Sequence, residues 1–423
     1  MSDRVVITSI ARTPLDSQKN REFVEVSIPE LAVVPVKEAI KRSALGEREV
    51  DTIIMGQMEQ GSGEAGNLAR HVALKAGLDH ETAVGYTVNR ICGSGFQAIA
   101  CAMMELWADE GDVYVAAGCE MNSHRLVSLP VSFAWTGIPK GGILLGGYPG
   151  PGDMMFPSER YGLEWEAPDG RKIPLVGPSF TVEKASIRLG VTREESDRFA
   201  YDSQMKMKRA VEENRFDNEI VPIEYPVSGR KGKEYIYCDK DLHPKPDTTM
   251  EGLAALRPAF IPGGVITAGS ASGSVDGAAA MVLMKESEAE RRGLKPIAYL
   301  NAFTFGGVDP TEMGIGPTVA IPKLFKKTGL GFDDIDVFEI NEAFCAQVVC
   351  CMKIFGFDFE SDFYKKLNPN GGATAIGHPE GCTGVRLTMT IAEELRRTGK
   401  RYGVASACIG GGMGAAILVE NAQ

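Results

Sequence analysis

The chain has 423 residues, 44% of them hydrophobic and 24% charged, and a formal net charge of −11. That length exceeds the roughly 250–300 residues at which a single core stops growing, so two or three domains are expected. The acidic balance argues against a general nucleic-acid or anionic-membrane binder, and no run of about 20 apolar residues predicts a membrane span.

The opening "MSDRVVITSIARTP" enters a strand over 4–10 almost at once, leaving no room for a targeting peptide. The final "LVENAQ" carries no address, so a cytoplasmic protein is expected. Helical periodicity follows at 32–43, then a strand at 51–56. In "VNRICGSGFQAIACAMMEL", 88–106, a β-branched start meets Cys92 and Gly-Ser-Gly before a long helical pattern. This puts a thiol at a strand-to-helix joint. A strand at 113–118 comes next. Residues 137–162 are rich in Gly, Pro and Met and read as an irregular covering segment. Residues 191–214 read as a helix opened by a capping box of Thr192 and Glu195. The basic stretch 228–241 reads as a solvated loop. Strands at 278–284, 297–303, 336–341, 402–407 and 415–419 complete the order, with a helix at 388–397. The alternation indicates an α/β protein with largely parallel sheets.

One unit is used twice. Asp51 to Gly56 and Asp336 to Asn341 both span five residues. Gly56 to Cys92 is 36 residues and Asn341 to His378 is 37, and a glycine follows both Cys92 and His378 by three (Gly95 and Gly381). The closing strands "DGAAAMVLMKE" and "MGAAILVEN" also match. The expected division is an N-terminal half over 1–122 completed by the strand in 270–288, an inserted covering domain over 123–269, and a C-terminal half over 289–423.

Nine cysteines with no CxxC pair fit neither a disulfide framework nor a zinc site, so reduced thiols, mostly small buried residues, are expected. Cys92 by itself is better explained by packing than by chemistry. The repeat changes the balance, because halves packed about a pseudo-two-fold axis bring Cys92 and His378 face to face. A helix N-terminus and an imidazole can lower a cysteine pKa from about 8.5 into a range of roughly 3.5–7.5. Cys408 and Asn341 both stand at C-terminal strand ends of the second half, where α/β proteins bind ligands. Of the other histidines, His71 and His80 read as helix-surface residues, while His124 and His243 stay open.

These residues lie in "VNRICGSGFQA", "TAGSASGSVDGAAA" (267–280), "GVDPTEMGIGP" (307–317), "NEAF" (341–344), "GGATAIGHPEG" (371–381) and "CIGGGMGAA" (408–416). In these six motifs, taken in order, the chain resembles the thiolases over nearly its whole length. The resemblance implies a five-layered αβαβα core of two duplicated α/β halves with an inserted covering loop domain. It also implies reversible thiolysis of 3-ketoacyl-CoA, or the reverse Claisen condensation. Cys92 would carry the acyl group and His378 would take its proton. Cys408 would act as general acid/base, and Asn341 would hold a water that forms one oxyanion hole with His378. The amides of Cys92 and Gly410 would form the other. Ser272, Ala268, Phe260 and Phe344 match positions along the pantetheine tunnel, and Met313 one near the acyl pocket.

CoA would be substrate and product, with no resident cofactor or metal. A homodimer or homotetramer is implied, and a β-oxidation partner subunit is the remaining association to consider. An acyl-CoA-binding subunit of such a complex, with partner-dependent or specialised activity, is the alternative function. Decarboxylating ketoacyl synthases carry a second histidine where Cys408 stands, and hydroxymethylglutaryl-CoA-type synthases need a glutamate absent near Cys92. Pro178 and Ser179 replace a Met-Gly pair common in short-chain thiolases, while Ser270 and Val275 replace two asparagines. The acyl-chain preference therefore does not follow from the motifs.

Overall fold

A computed structural model describes residues 3–17, 22–60, 66–124, 164–175, 177–226 and 235–423. The expected covering segment 137–162 and the basic residues 228–234 lie outside the described residues. Ten strands form one sheet: β1 (Val5–Arg12), β2 (Asp16–Ser17), β3 (Thr52–Gly56), β4 (Val84–Val88), β5 (Val113–Met121), β6 (Val275–Lys285), β7 (Ala298–Gly307), β8 (Val337–Ile340), β9 (Tyr402–Ile409) and β10 (Met413–Asn421).

The sheet order is β8-β9-β10-β7-β1-β6-β5-β3-β4, with β2 added beside β6. Outward from its centre, β7-β10-β9-β8 mirrors β1-β6-β5-β3, strand for strand and direction for direction. The two sides meet through only three antiparallel residue pairs, Val5–Leu300, Val6–Tyr299 and Ile7–Ala298. β4 has no counterpart strand in the second half. There, Asn368 bonds β8 in a strand's place: its side chain accepts from the Ile340 N–H at 2.9 Å and donates to the Ile340 carbonyl at 3.0 Å.

The expectation of largely parallel sheets is corrected. Only β3–β4, β3–β5 and β8–β9 are parallel, and every other pairing in this sheet is antiparallel. Alternating elements do not encode direction. The Gly410–Gly412 turn folds β9 directly back onto β10, and the long insertion lets β6 return antiparallel to β5.

Three apolar clusters separate five layers. Helix α1 (Ile28–Arg42) covers one face of β1, β5 and β6. Helices α3 (Ser94–Trp107) and α8 (Glu380–Thr398) pack between the two halves of the sheet. Helix α6 (Pro317–Thr328) covers the outer face of β7 and β10, with α7 (Cys345–Phe355) beside it. The remaining labelled helices are α2 (Leu68–Lys75), α4 (Pro178–Leu189) and α5 (Arg193–Glu212). Because its strands are covered on both faces, β6 is apolar without alternation. Its Ala278, Ala280, Val282 and Met284 face the α1 layer, while Ala279, Met281 and Leu283 face the central one.

Glycines let the central helices touch backbone to backbone. A Cβ on Gly95 of α3 would lie 2.9 Å from the Gly384 and Val385 nitrogens and 3.0 Å from the Gly381 carbonyl oxygen of α8. One on Gly381 would lie 2.7 Å from the carbonyl oxygens of Cys119 and Gly56. The paired glycines of the repeat therefore meet, and with them the N-termini of both helices. In the described part of the insertion, α5 opens at Thr192 with the expected capping box, the Glu195 N–H reaching Thr192 Oγ1 at 3.1 Å. Pro178 is the first residue of α4, a position where its missing N–H has no helical partner to lose.

Candidate active site

β4 ends four residues before Cys92, and the chain turns sharply to enter α3. The turn is strained: Ile91 has φ +54°, in the left-handed region, which a β-branched residue seldom occupies. Ser94 holds it there. Its hydroxyl accepts from the Arg90 N–H at 2.9 Å and donates to the Ile91 carbonyl at 2.6 Å. The Asn89 side chain accepts from the Ile91 N–H at 2.8 Å. This elbow presents Cys92 at the start of α3, where it keeps part of its surface open.

The matching joint of the second half carries His378, 6% exposed. Its N–H donates to the Gly273 carbonyl at 2.9 Å, Nδ1 lies 2.7 Å from Thr383 Oγ1, and Nε2 lies 3.4 Å from the Asn341 amide nitrogen. Asn341 directly follows β8, is 1% exposed, and bonds by its N–H to the Ser406 carbonyl of β9. Its Oδ1 is buried without a hydrogen-bond partner, an uncompensated acceptor on the same side chain that faces the imidazole.

Cys408 is buried near the end of β9, paired with Gly414 across the turn. The turn itself needs Gly411 and Gly412 at φ +82° and +81°. It brings the Gly410 N–H onto the Cys92 sulfur, and Ile409 against Gly93. The electrostatics of Cys92 depart from expectation. Burial pushes its thiol well above the usual cysteine range, and the charge of Glu380 adds to the rise. The Gly410 and Cys92 amides pull the other way but do not prevail. Desolvation outweighs the helix terminus, so the resting sulfur is a thiol. Burial, with Cys351 adding, raises Cys408 likewise.

This arrangement is a fold-wide match to known proteins. Residues 5–287 match the thiolase N-terminal domain and 294–421 the thiolase C-terminal domain. The chain belongs to the thiolase family. It is 37% identical to an acetyl-CoA acetyltransferase of Syntrophomonas wolfei, over 99% of this chain and 100% of that one. A 3-ketoacyl-CoA thiolase of Bacillus subtilis is 36% identical, with 98% of each chain covered. Among solved structures, human mitochondrial 3-ketoacyl-CoA thiolase superposes with a TM-score of 0.84 at 33% identity, over 100% of this chain and 99% of that one.

The other thiolase-motif positions divide. The loop carrying Ser272 runs beside "NEAF": the Ser272 N–H donates to the Ala343 carbonyl at 3.0 Å, and Ala271 bridges Phe344. Ala268 is exposed, and Phe260, 40% exposed, meets Phe344 edge-on at 6.2 Å and Phe180 at 6.0 Å. Met313 is 1% exposed and packs in the outer core of the second half with Val182 and Ala320. The two departures are accommodated locally. Ser270 accepts from the Thr267 N–H at 2.9 Å, and Val275 fills the space beside Gly377.

Of the other histidines, His71 is exposed on α2, but His80 sits in a turn beyond it. His124 reaches the Val24 carbonyl at 2.8 Å. His243 packs against Gly273, and burial lowers it to about 4, so it stays neutral. Sequence reasoning passed over Ile91, Ser94 and Thr383. No sequence signal marks a β-branched residue forced to positive φ.

Proposed function

We propose that the chain catalyses reversible thiolytic cleavage of a 3-ketoacyl-CoA by CoA, and the reverse Claisen condensation, through an acyl-enzyme on Cys92. What supports the reading is the meeting of two helix-start joints, one bearing Cys92 under the Gly410 N–H, the other, entered from a short helix rather than a strand, bearing His378 beside Asn341.

Because burial holds Cys92 as a thiol, its proton moves to His378 as the sulfur attacks, in thiolysis, the 3-keto carbonyl, expelling the enolate of acetyl-CoA, and in condensation the thioester carbonyl of an acyl-CoA, expelling CoA. The Gly410 and Cys92 amides receive the developing oxyanion, each fixed donor being worth about 10²–10³ in rate. Cys408 exchanges the proton on the α-carbon of acetyl-CoA, removing it in condensation and returning it in thiolysis. The bare Asn341 Oδ1 accepts from the water that, with His378, supports the second oxyanion. CoA enters as substrate, past Ser272 and the Phe260–Phe344 pair. The domain division at 123 and 289, with 123–269 covering the site, belongs to this proposal, as does a cytoplasmic location.

A homodimer completes it. Among the described residues β4 is paired on one side only, by β3, and Val84 on it and Met104 and Trp107 on α3 are exposed. The deciding experiment is thiolysis of 3-ketoacyl-CoAs of four to sixteen carbons by the purified protein, with Cys92→Ala beside it. A chain-length optimum abolished in Cys92→Ala is expected. No cleavage at any length by folded protein would overturn the proposal.

A further inference from the structure

We infer that Thr383 is a positioning residue that keeps the proton of neutral His378 on Nδ1 and so leaves Nε2 as the basic nitrogen. The inference rests on His378 being the proton acceptor proposed above.

Three contacts form one directed chain. Thr383 Oγ1 lies 2.9 Å from the Pro379 carbonyl, to which its hydroxyl donates, and 2.7 Å from His378 Nδ1. A threonine hydroxyl has one proton. Given to Pro379, it leaves the oxygen to accept from the ring, so Nδ1 bears the N–H. A neutral imidazole has only one such proton, and Nε2 is left with its lone pair. On that side the Asn341 amide nitrogen lies 3.4 Å away and supplies a donor. The chain runs from Asn341 N–H to Nε2, from Nδ1–H to Thr383, and from Thr383 O–H to Pro379. With the opposite polarity, the Asn341 amide nitrogen would face another N–H.

The local structure enforces this. Thr383 sits in the first turn of α8, where a threonine hydroxyl can reach back four residues to a carbonyl. Its β-branch restricts χ1, and it is fully buried, which keeps water from substituting for it. The chemical consequence is specific. When Cys92 attacks, its S–H bond breaks, the sulfur's electron pair goes to the carbonyl carbon (the 3-keto carbon in thiolysis, the thioester carbon in condensation), the C=O π pair moves onto oxygen, and the proton forms a new bond at Nε2. The Nδ1–H to Thr383 bond is unchanged throughout, so the ring need not turn. A neutral hydroxyl, unlike a carboxylate, adds little to the stability of the imidazolium, which therefore returns its proton readily.

The test uses full-length protein labelled with [15N]histidine, in which His378 is one of only five histidines. Long-range 1H–15N spectra read the tautomer directly, the His378 signals being those lost in His378→Asn. Wild type is expected to show the Nδ1–H pattern, and Thr383→Val a mixture or the Nε2–H form. In thiolysis, Thr383→Val is expected to lose about ten- to a hundred-fold in kcat with KM within about twofold, and Thr383→Ser to restore both rate and spectrum. An Nε2–H wild type would overturn the inference, as would a folded Thr383→Val with unchanged tautomer and rate. If Thr383→Val does not fold, the wild-type spectrum still decides. Wild type that shows Nδ1–H but cleaves no 3-ketoacyl-CoA would defeat the proposed function and leave the tautomer assignment standing.

Discussion

Replacing Gly384 with alanine should damage catalysis far more than folding. A Cβ at Gly384 would lie 2.7 Å from the Gly95 carbonyl carbon and from Phe96 Cδ2, and closer still to the Phe96 nitrogen. Carbon atoms in contact prefer about 3.5–4.0 Å, so the shortfall is about 1 Å. Two of the three obstacles are backbone atoms of α3, which cannot rotate away. Overpacking of this kind costs about 1–3 kcal/mol, and the better helix propensity of alanine offsets about 1 kcal/mol of it. The net loss, at most about 2 kcal/mol, lowers the melting temperature by only a few degrees. The relief is a separation of α3 from α8, the helices whose N-terminal joints hold Cys92 and His378. Displacing reacting groups by about 1 Å costs on the order of 100-fold in rate. Thermal melts and thiolysis kinetics of Gly384→Ala should therefore diverge, with Gly66→Ala, which meets nothing within 4 Å, unchanged in both. Wild-type rate in Gly384→Ala would refute the reasoning, because the helices would then have room that the contact leaves them without.

Three more outcomes are expected. Ile91→Gly should melt within about 4 °C of wild type, since relief of the left-handed strain, about 1–2 kcal/mol, offsets most of the added chain entropy and of the contacts a half-buried side chain loses with the central cluster; a drop of 8 °C or more would show that Ile91 is held by packing rather than strained. Burial, backed by the charge of Asp276, raises Asp16 from 3.8 to about 6, so the folded state holds that proton more tightly. The stability it contributes is complete below pH 3.8 and lost as pH rises through about 6. Asp16→Asn, which still accepts from the Phe23 N–H, should add roughly 2–3 kcal/mol at pH 7 and flatten urea-denaturation stability between pH 4 and 6. Alkylation of Cys92 by iodoacetamide, followed by mass spectrometry, should keep accelerating from pH 8 to 10 because burial raises the thiol; a plateau below pH 8 would contradict that.

Much of the fold was legible because the chain states it twice. Spacing alone paired Gly95 with Gly381, and those two backbones touch. The eight strands read from apolar runs are all present, since strands covered on both faces need no polar alternation. β4 was harder. "VGYTV" lies at the sheet's edge with exposed or half-buried residues throughout, and only its junction with Cys92 stood out. Strand direction was not legible, because it depends on how long connections return. The state of Cys92 was missed for a physical reason. Sequence shows the helix terminus and the histidine that favour a thiolate, but not the amount of protein around the sulfur that opposes one.

That opposition explains why a duplicated scaffold carries different residues at equivalent joints. Two cysteines there would both be protonated by burial, with no group to take either proton. Two histidines would supply bases with no nucleophile. In the proposed mechanism, Cys92 at one joint and His378 at the other let a thiol stay neutral until substrate arrives and then pass its proton to the second half. The glycines are a condition of this division. Gly95, Gly381 and Gly384 are side chains given up so that the two helix starts meet backbone to backbone. The second half then bears the remaining burden. Asn341 and Cys408 end neighbouring parallel strands there, and the Gly410–Gly412 turn carries its amide back to the first half's sulfur. The proposed site is built across the repeat, so neither half alone contains the proposed nucleophile together with its base.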